Sequence, residues 1–275
     1  MKMIRLARKS VFLASLCGFA AAASAGTWQY DFNEGTNGAA YRSELDVANA
    51  VYDTSIRYGS SGASVKSTIN SGAEGSIGVR SWVLPNSVGK GDQIWVRFRT
   101  YYPSNFSFAT NTGFLKFIRL YDTGAGYFDM LINNNGANSS GFTQQHEVLV
   151  DRAQPQVHFA DSTTSPHRGQ WETWEVYIKL DETTNGRWRF WRNGVLLKDQ
   201  PSMTLISASS RKTKLLITDY WNGGAPQTQS MYLDDLIITT DTPSARDAAG
   251  NAMIGPGDNF VATRTPNPPT TVAVQ

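Results

Sequence analysis

The stretch GQWETWEVYIKLDETTNGRWRFWRNGVLL, from Gly169 to Leu197, constrains the fold more than any other part of the chain. Trp174, Val176, Ile178 and Leu180 recur at every second position, with Glu175, Tyr177 and Lys179 between them. Side chains of an extended strand alternate between faces, so this is a strand with one apolar face. The polar loop Asp181 to Gly186 follows, and then Arg187-Trp188-Arg189-Phe190-Trp191-Arg192 alternates again and ends on the turn pair Asn193-Gly194. A strand, a loop containing Gly, a second strand and an Asn-Gly turn predict an antiparallel meander.

The same pattern recurs along the chain. Trp28, Tyr30 and Phe32 alternate with polar residues. From Asp92 to Tyr102, Ile94, Val96 and Phe98 share one face, while Trp95, Arg97, Arg99 and Tyr101 share the other. That second face is weighed evenly between ligand contact and surface packing. The run GFLKFIRLYD, Gly113 to Asp122, carries apolar residues on both faces with Lys116 on one and Arg119 on the other, as in a central strand covered on both sides. Further strands are expected at 127–133, 154–160, 212–221 and 231–240, the last interrupted by Asp234-Asp235. Residues 41–80 read as loops and short strands. No segment has the periodicity of a long amphipathic helix. About nine strand candidates are more than one small sheet usually holds, so two stacked antiparallel sheets are expected.

Residues 1–25 stand apart. Lys2, Arg5, Arg8 and Lys9 precede an apolar run from Val11 to Ala22, and Ala23-Ser24-Ala25 fits a small-residue cleavage site, the pattern of a secretion signal peptide. The run is shorter than the roughly 20 residues a spanning helix needs. Loss of its four cations turns the formal charge from +2 to −2, which removes any global electrostatic case for nucleic acid or membrane as a partner. The only cysteine, Cys17, would leave with the signal, so an ordinary core must supply the stability. The expected product is secreted or periplasmic: a domain over 26–245, then a loop and Pro/Thr-rich tail over 246–275.

Several chemistries are missing. No Gly-x-Ser-x-Gly elbow is present, and His146, His158 and His167 form no zinc motif. Retaining glycoside hydrolysis needs two carboxyl groups about 5–5.5 Å apart, which on a strand means acids two apart. Glu44 and Asp46 have that spacing; Glu172 and Glu175, and Asp234 and Asp235, diverge. β-Elimination on a uronate asks for a cation on the sugar carboxylate and for proton-transfer groups, and Tyr, His, Arg, Lys and Gln supply both. These types recur on non-core faces: Arg97 and Arg99, Lys116 or Tyr121, Gln156 and His158, and Tyr220. A tyrosine base would need neighbouring cations to lower its pKa. Trp171, Trp174, Trp188 and Trp191 read as core and hairpin packing, not as a sugar platform.

In its order of motifs, GDQIWVRFRTYYPSNF, KFIRL, GQWETWEVYIKLDETTNGRWRFWRNGVLL, DYWNGG and YLDDLIITTDTP, the chain resembles the concanavalin A-like jelly-roll group of polysaccharide lyases and glucanases over roughly residues 27–242. The resemblance implies an all-β jelly-roll sandwich of two antiparallel sheets with a carbohydrate cleft across one of them. It implies a secreted lyase whose partner is an acidic polysaccharide. The positions matching the lyase types are Arg97, Lys116, Gln156, His158 and Tyr220. Arg42-Ser43-Glu44-Leu45-Asp46 keeps the Arg and Glu of an Arg-x-Glu-x-Arg motif, and Gln156-Val157-His158 parallels Gln-Ile-His; no Tyr-Phe-Lys-x-Gly motif is present.

The catalytic expectation is therefore Arg97, Lys116, His158 and Tyr220, with Trp95, Arg99, Tyr101, Arg119, Tyr121, Gln156 and Trp221 binding substrate. No cofactor is required on this reading, with Ca²⁺ at Asp234-Asp235 as the one metal alternative. The chain is expected to be a monomer. A non-catalytic, lectin-like carbohydrate-binding module and a glycoside hydrolase are the alternative functions.

Overall fold

The computed structural model describes residues 26–41, 45–110, 114–123, 126–133, 142–147, 157–158, 166–207 and 211–257. Among these residues there is no helix, and the strands form two antiparallel sheets. One sheet runs in the order β14 (Val195–Met203), β13 (Gly186–Arg192), β12 (Trp171–Lys179), β7 (Gln93–Tyr101), β16 (Gln229–Thr239), β4 (Ser64–Ile69) and β3 (Ala50–Asp53), with β1 (Thr27–Tyr30) also paired to β16. The other runs β11 (Val157–His158), β10 (Phe142–Glu147), β9 (Tyr127–Asn133), β8 (Phe114–Asp122), β15 (Lys212–Trp221), β6 (Val79–Val88) and β2 (Asp46–Val47), with β5 (Gly75–Ser76) on β15. They are called the first and second sheet below.

The meander read from 169–197 is β12, β13 and β14. Trp174 pairs with Arg192 and Ile178 with Trp188, and the Asn193-Gly194 turn has φ of 49° and 79°. Positive φ at both central residues matches the right-handed twist of the flanking strands, and Asn and Gly tolerate it. The alternating residues of β12 divide as the sequence predicts. Trp174, Val176 and Ile178 enter the core between the sheets with Ile94, Val96 and Phe98 of β7, and meet Leu115, Phe117, Ile118 and Leu120 of β8. Ring contacts span the two layers: Phe98 and Phe117 lie 5.5 Å apart, Phe117 and Trp174 5.3 Å, and Phe128 and Trp188 6.2 Å. Each buried aromatic removes on the order of 150–250 Å² from water, so this layer dominates the stability.

The outer face of β7 departs from the expected ligand surface. Residues 246–257, read from the sequence as loop and tail, pack across it. Met253 and Ile254 close a second apolar cluster with Trp95, Tyr177, Trp191 and Ile237. Polar groups beneath this strap are matched to its backbone. Glu175 accepts hydrogen bonds from the Ile254 and Gly255 amides at 2.6 and 2.9 Å, Arg97 donates to the Gly257 carbonyl at 2.9 Å, and Arg99 donates to the Pro256 carbonyl at 2.7 Å. A segment without periodicity of its own is held because its backbone amides and carbonyls meet these buried charged groups.

Candidate active site

The outer face of the second sheet collects the remaining functional side chains through an irregularity in β8. Strict alternation would put Lys116 and Arg119 on opposite faces. The pairing with β9 instead matches Lys116 to Leu131, Ile118 to Met130 and Arg119 to Asp129, leaving Phe117 as an extra residue. This β-bulge sends Phe117 and Ile118 both into the core and brings Lys116, Arg119 and Tyr121 to one face. A second shift, on β15 between Ile217 and Tyr220, keeps Tyr220 level with Lys116.

Reading the pairings across the sheet gives one row of backbone partners: His158 with Thr143, Thr143 with Leu131, Leu131 with Lys116, Lys116 with Tyr220, and Tyr220 with Ser76. Three of the four residues expected to be catalytic thus share a row drawn from strands far apart in sequence. The Lys116 ammonium lies 4.2 Å from the centre of the Tyr220 ring and donates to Asn222 Oδ1 at 2.7 Å. Lys116 is only 9% exposed. Burial, and then the neighbouring Arg119 charge, lower its pKa to about 8.

One row further along, Arg119 makes a two-pronged hydrogen bond to Asp129, and its guanidinium lies 4.0 Å from the Tyr127 ring centre and 5.3 Å from that of Tyr121. Burial disfavours charge on Arg119, but the contact with Asp129 outweighs it and holds the guanidinium above its ordinary value. Burial likewise pushes the Tyr121 hydroxyl up, with Arg119 opposing. Lys214 stands over Tyr121 at 4.4 Å. The face therefore offers a partly desolvated ammonium, a braced guanidinium and several phenols, a set suited to a carboxylated, hydroxyl-rich ligand. Sequence reading missed Asp129, Leu131, Asn222, Tyr127 and Lys214. Only the strand pairing brings them to Lys116, although an acid at an outward position of β9 was a signal that an arginine needed a partner.

Five expected site residues lie elsewhere. Arg97 (2% exposed) and Arg99 (0% exposed) are on the first sheet, beneath the strap and with the core layer between them and Lys116. Arg99 also pairs with Asp235 and stacks 3.6 Å from the Tyr58 ring centre. Trp95 is in the cluster under the strap and donates to the Ala252 carbonyl at 3.2 Å. Tyr101 packs with Trp171 and Tyr232 on the first sheet. The β7 face is a packing face because the strap covers it. Trp221 is a core residue that donates to the Ala109 carbonyl at 3.0 Å. Gln156 and Glu44 lie outside the described residues, while Asp46 pairs with Arg80 on the surface. The metal alternative meets an engaged pair: Asp234 accepts from the amides of Tyr58 and Asp235, and Asp235 holds Arg99. No group of three metal-ligating side chains is found among the described residues.

No family model matches the chain, and no curated protein matches it. Among solved structures it is similar to the alginate lyase Aly36B in complex with alginate trisaccharide, with a TM-score of 0.56 at 18% identity over 78% of this chain and 98% of that one. It is also similar to an endo-β-1,4-glucuronan lyase from the fungus Trichoderma reesei, with a TM-score of 0.53 at 12% identity over 80% and 96%. An alginate lyase from a Chlorella virus gives 0.53 at 13% identity over 72% and 93%. These likenesses establish the fold as the concanavalin A-like jelly roll shared with those enzymes.

Proposed function

We propose that the chain is a polysaccharide lyase that cleaves a uronate-containing polymer by β-elimination on the outer face of the second sheet. The observation that carries the reading is the row joining His158, Lys116 and Tyr220, with the Lys116 ammonium against the Tyr220 ring. The solved structures of the same fold named above, two alginate lyases and a glucuronan lyase, support the choice of an acidic polymer. Secretion after cleavage near Ala25 belongs to the same proposal.

The chemistry follows from charge. A uronate carboxylate paired with Lys116 withdraws electrons from the adjacent ring carbon, C5, and makes its proton removable. Arg119, fixed by Asp129, adds positive potential behind that contact. A base takes the C5 proton, the electron pair forms the C4–C5 double bond, and the C4–O bond to the leaving sugar breaks as that oxygen is protonated. Tyr220 is assigned to proton transfer because it lies beside the cation, and His158, three strand spacings or roughly 14 Å from Lys116 along the row, is assigned to a neighbouring sugar of the same polymer.

The test is ultraviolet absorbance during incubation with alginate, glucuronan, pectate and ulvan, since elimination creates a conjugated double bond and hydrolysis does not. Wild-type protein is expected to raise absorbance on at least one polymer. Tyr220→Phe is expected to lower kcat by about 10²–10⁴-fold with the fold intact. A flat wild-type trace with unchanged reducing ends would move the assignment to a binding module. Full turnover in both Tyr220→Phe and His158→Ala would end these residue roles.

A further inference from the structure

The first sheet carries a second cluster of cations that the proposed reaction does not use. It arises from two adjacent rows on the outer faces of β7, β12, β13 and β14. Gln93 pairs with Lys179, Lys179 with Arg187, and Arg187 with Pro201; Trp95 pairs with Tyr177, Tyr177 with Arg189, and Arg189 with Asp199. Alternation explains the composition, because Trp188 and Phe190 point into the core and leave Arg187 and Arg189 outside. A pocket of about 410 Å³ opens here, within the roughly 300–1,000 Å³ usual for ligand sites.

Asp199 forms ion pairs with both arginines, its carboxylate oxygens lying 2.9 Å from Arg187 Nε and 3.2 Å from Arg189 Nε without hydrogen-bond geometry. A guanidinium has five N–H donors, so pairing with one carboxylate keeps both groups at this surface and leaves donors for another acceptor. Arg189 is also stacked against Tyr177, 5.2 Å from the ring centre, and the Tyr177 hydroxyl donates to Gln93 at 2.6 Å. Three cations and one carboxylate leave the cluster with a local charge of +2, on a chain expected to be net negative without its leader. Two arginines gathered on one carboxylate, excess positive charge and a pocket of ligand size point to one ligand chemistry: an anionic, hydroxyl-rich molecule.

We propose that this pocket is a second, non-catalytic site for a carboxylated glycan, holding another stretch of the polymer processed on the opposite face. The choice of ligand rests on the lyase reading; the anion site itself rests on the cluster. Two sites on one polymer raise its effective concentration at each, so the second would matter for long chains and not for short ones.

The test is electrophoresis of the whole protein in native gels containing alginate, glucuronan or neutral hydroxyethyl cellulose, for wild type and for Lys179→Ala/Arg187→Ala. Both side chains are partly exposed, and unchanged thermal melting of the variant checks its fold; Arg187→Gln serves if the double variant melts early. Retardation by an acidic polymer is expected to weaken about fivefold in the double variant, the size expected for losing two partly exposed charge contacts. Turnover of a tetrasaccharide should stay at the wild-type level while turnover of the polymer at low concentration falls. Retardation that is absent in wild type, unchanged in the variant or equal in the neutral gel overturns the proposal. The two readings fail separately. Variant-sensitive retardation without ultraviolet turnover leaves the second site and removes the lyase, whereas turnover with variant-insensitive retardation does the reverse.

Discussion

An ammonium that is nearly buried beside a guanidinium gives up its proton more readily than one in water, and Lys116 titrates at about 8 for these two reasons. If its charge neutralises the uronate, turnover is highest while Lys116 is protonated and falls as pH rises through about 8. Initial rates between pH 6 and 10 check this, and Lys116→Arg, which stays charged throughout, should move the fall to higher pH. Lys116→Ala should lower kcat by roughly 10²–10³-fold, the usual effect of removing one charge-stabilising group. At this scale the sequence was half legible. Residue type singled out Lys116, Arg119, Tyr121 and Tyr220, but alternation divided Lys116 from Arg119, because nothing in FLKFIRLYD marks Phe117 as the extra residue. A bulge is a property of two paired strands and is invisible in either alone.

Strands were legible where one face is apolar and the other polar, and least legible where both faces are covered. The outer face of β7 shows the limit: Trp95, Arg97, Arg99 and Tyr101 suit a binding surface and a packing interface equally, and what decides between them is a strap 157 to 160 residues later. That strap makes a prediction through Glu175. Burial raises its pKa to about 7, against the opposing pull of the two strap amides and Arg97, with Asp247 reinforcing the rise. A carboxyl raised in the folded state contributes stability that is fully present below its unfolded pKa, about 4.5, and is lost as pH rises through about 7. Wild-type protein should therefore lose melting temperature between pH 5 and 8, at about 2–4 °C per kcal/mol for a domain of this size. Glu175→Gln should flatten that slope; calorimetry on both across the range measures the difference, and parallel curves would show that the strap does not sense this proton.

For the molecule as a whole, two antiparallel sheets were legible from the number of strands and the lack of helix, whereas strand order was not, because the pairings join residues far apart in sequence. β1 pairs Thr27 with Thr239 and Tyr30 with Leu236, so the first and last strands of the sandwich are neighbours. Deleting Thr27–Tyr30 would leave the Leu236–Thr239 edge of β16 without its cover, and an open apolar edge templates pairing with other chains. The expected result is a lower melting temperature and concentration-dependent light scattering. Strand order also has a consequence for how the protein is made. β16 stands between β7 on one side and β4 with β1 on the other, and β15 stands between β8 and β6. Among the described residues, both sheets are thus joined in the middle by the last two strands to leave the ribosome. Until β15 has emerged the second sheet is not continuous, until residues near 239 have emerged the first is not, and before then the nascent chain has no finished sandwich to close. A polypeptide whose architecture waits for its final strands is suited to being threaded through a translocation channel while still unfolded, which is the route that the leader proposed for residues 1–25 would require.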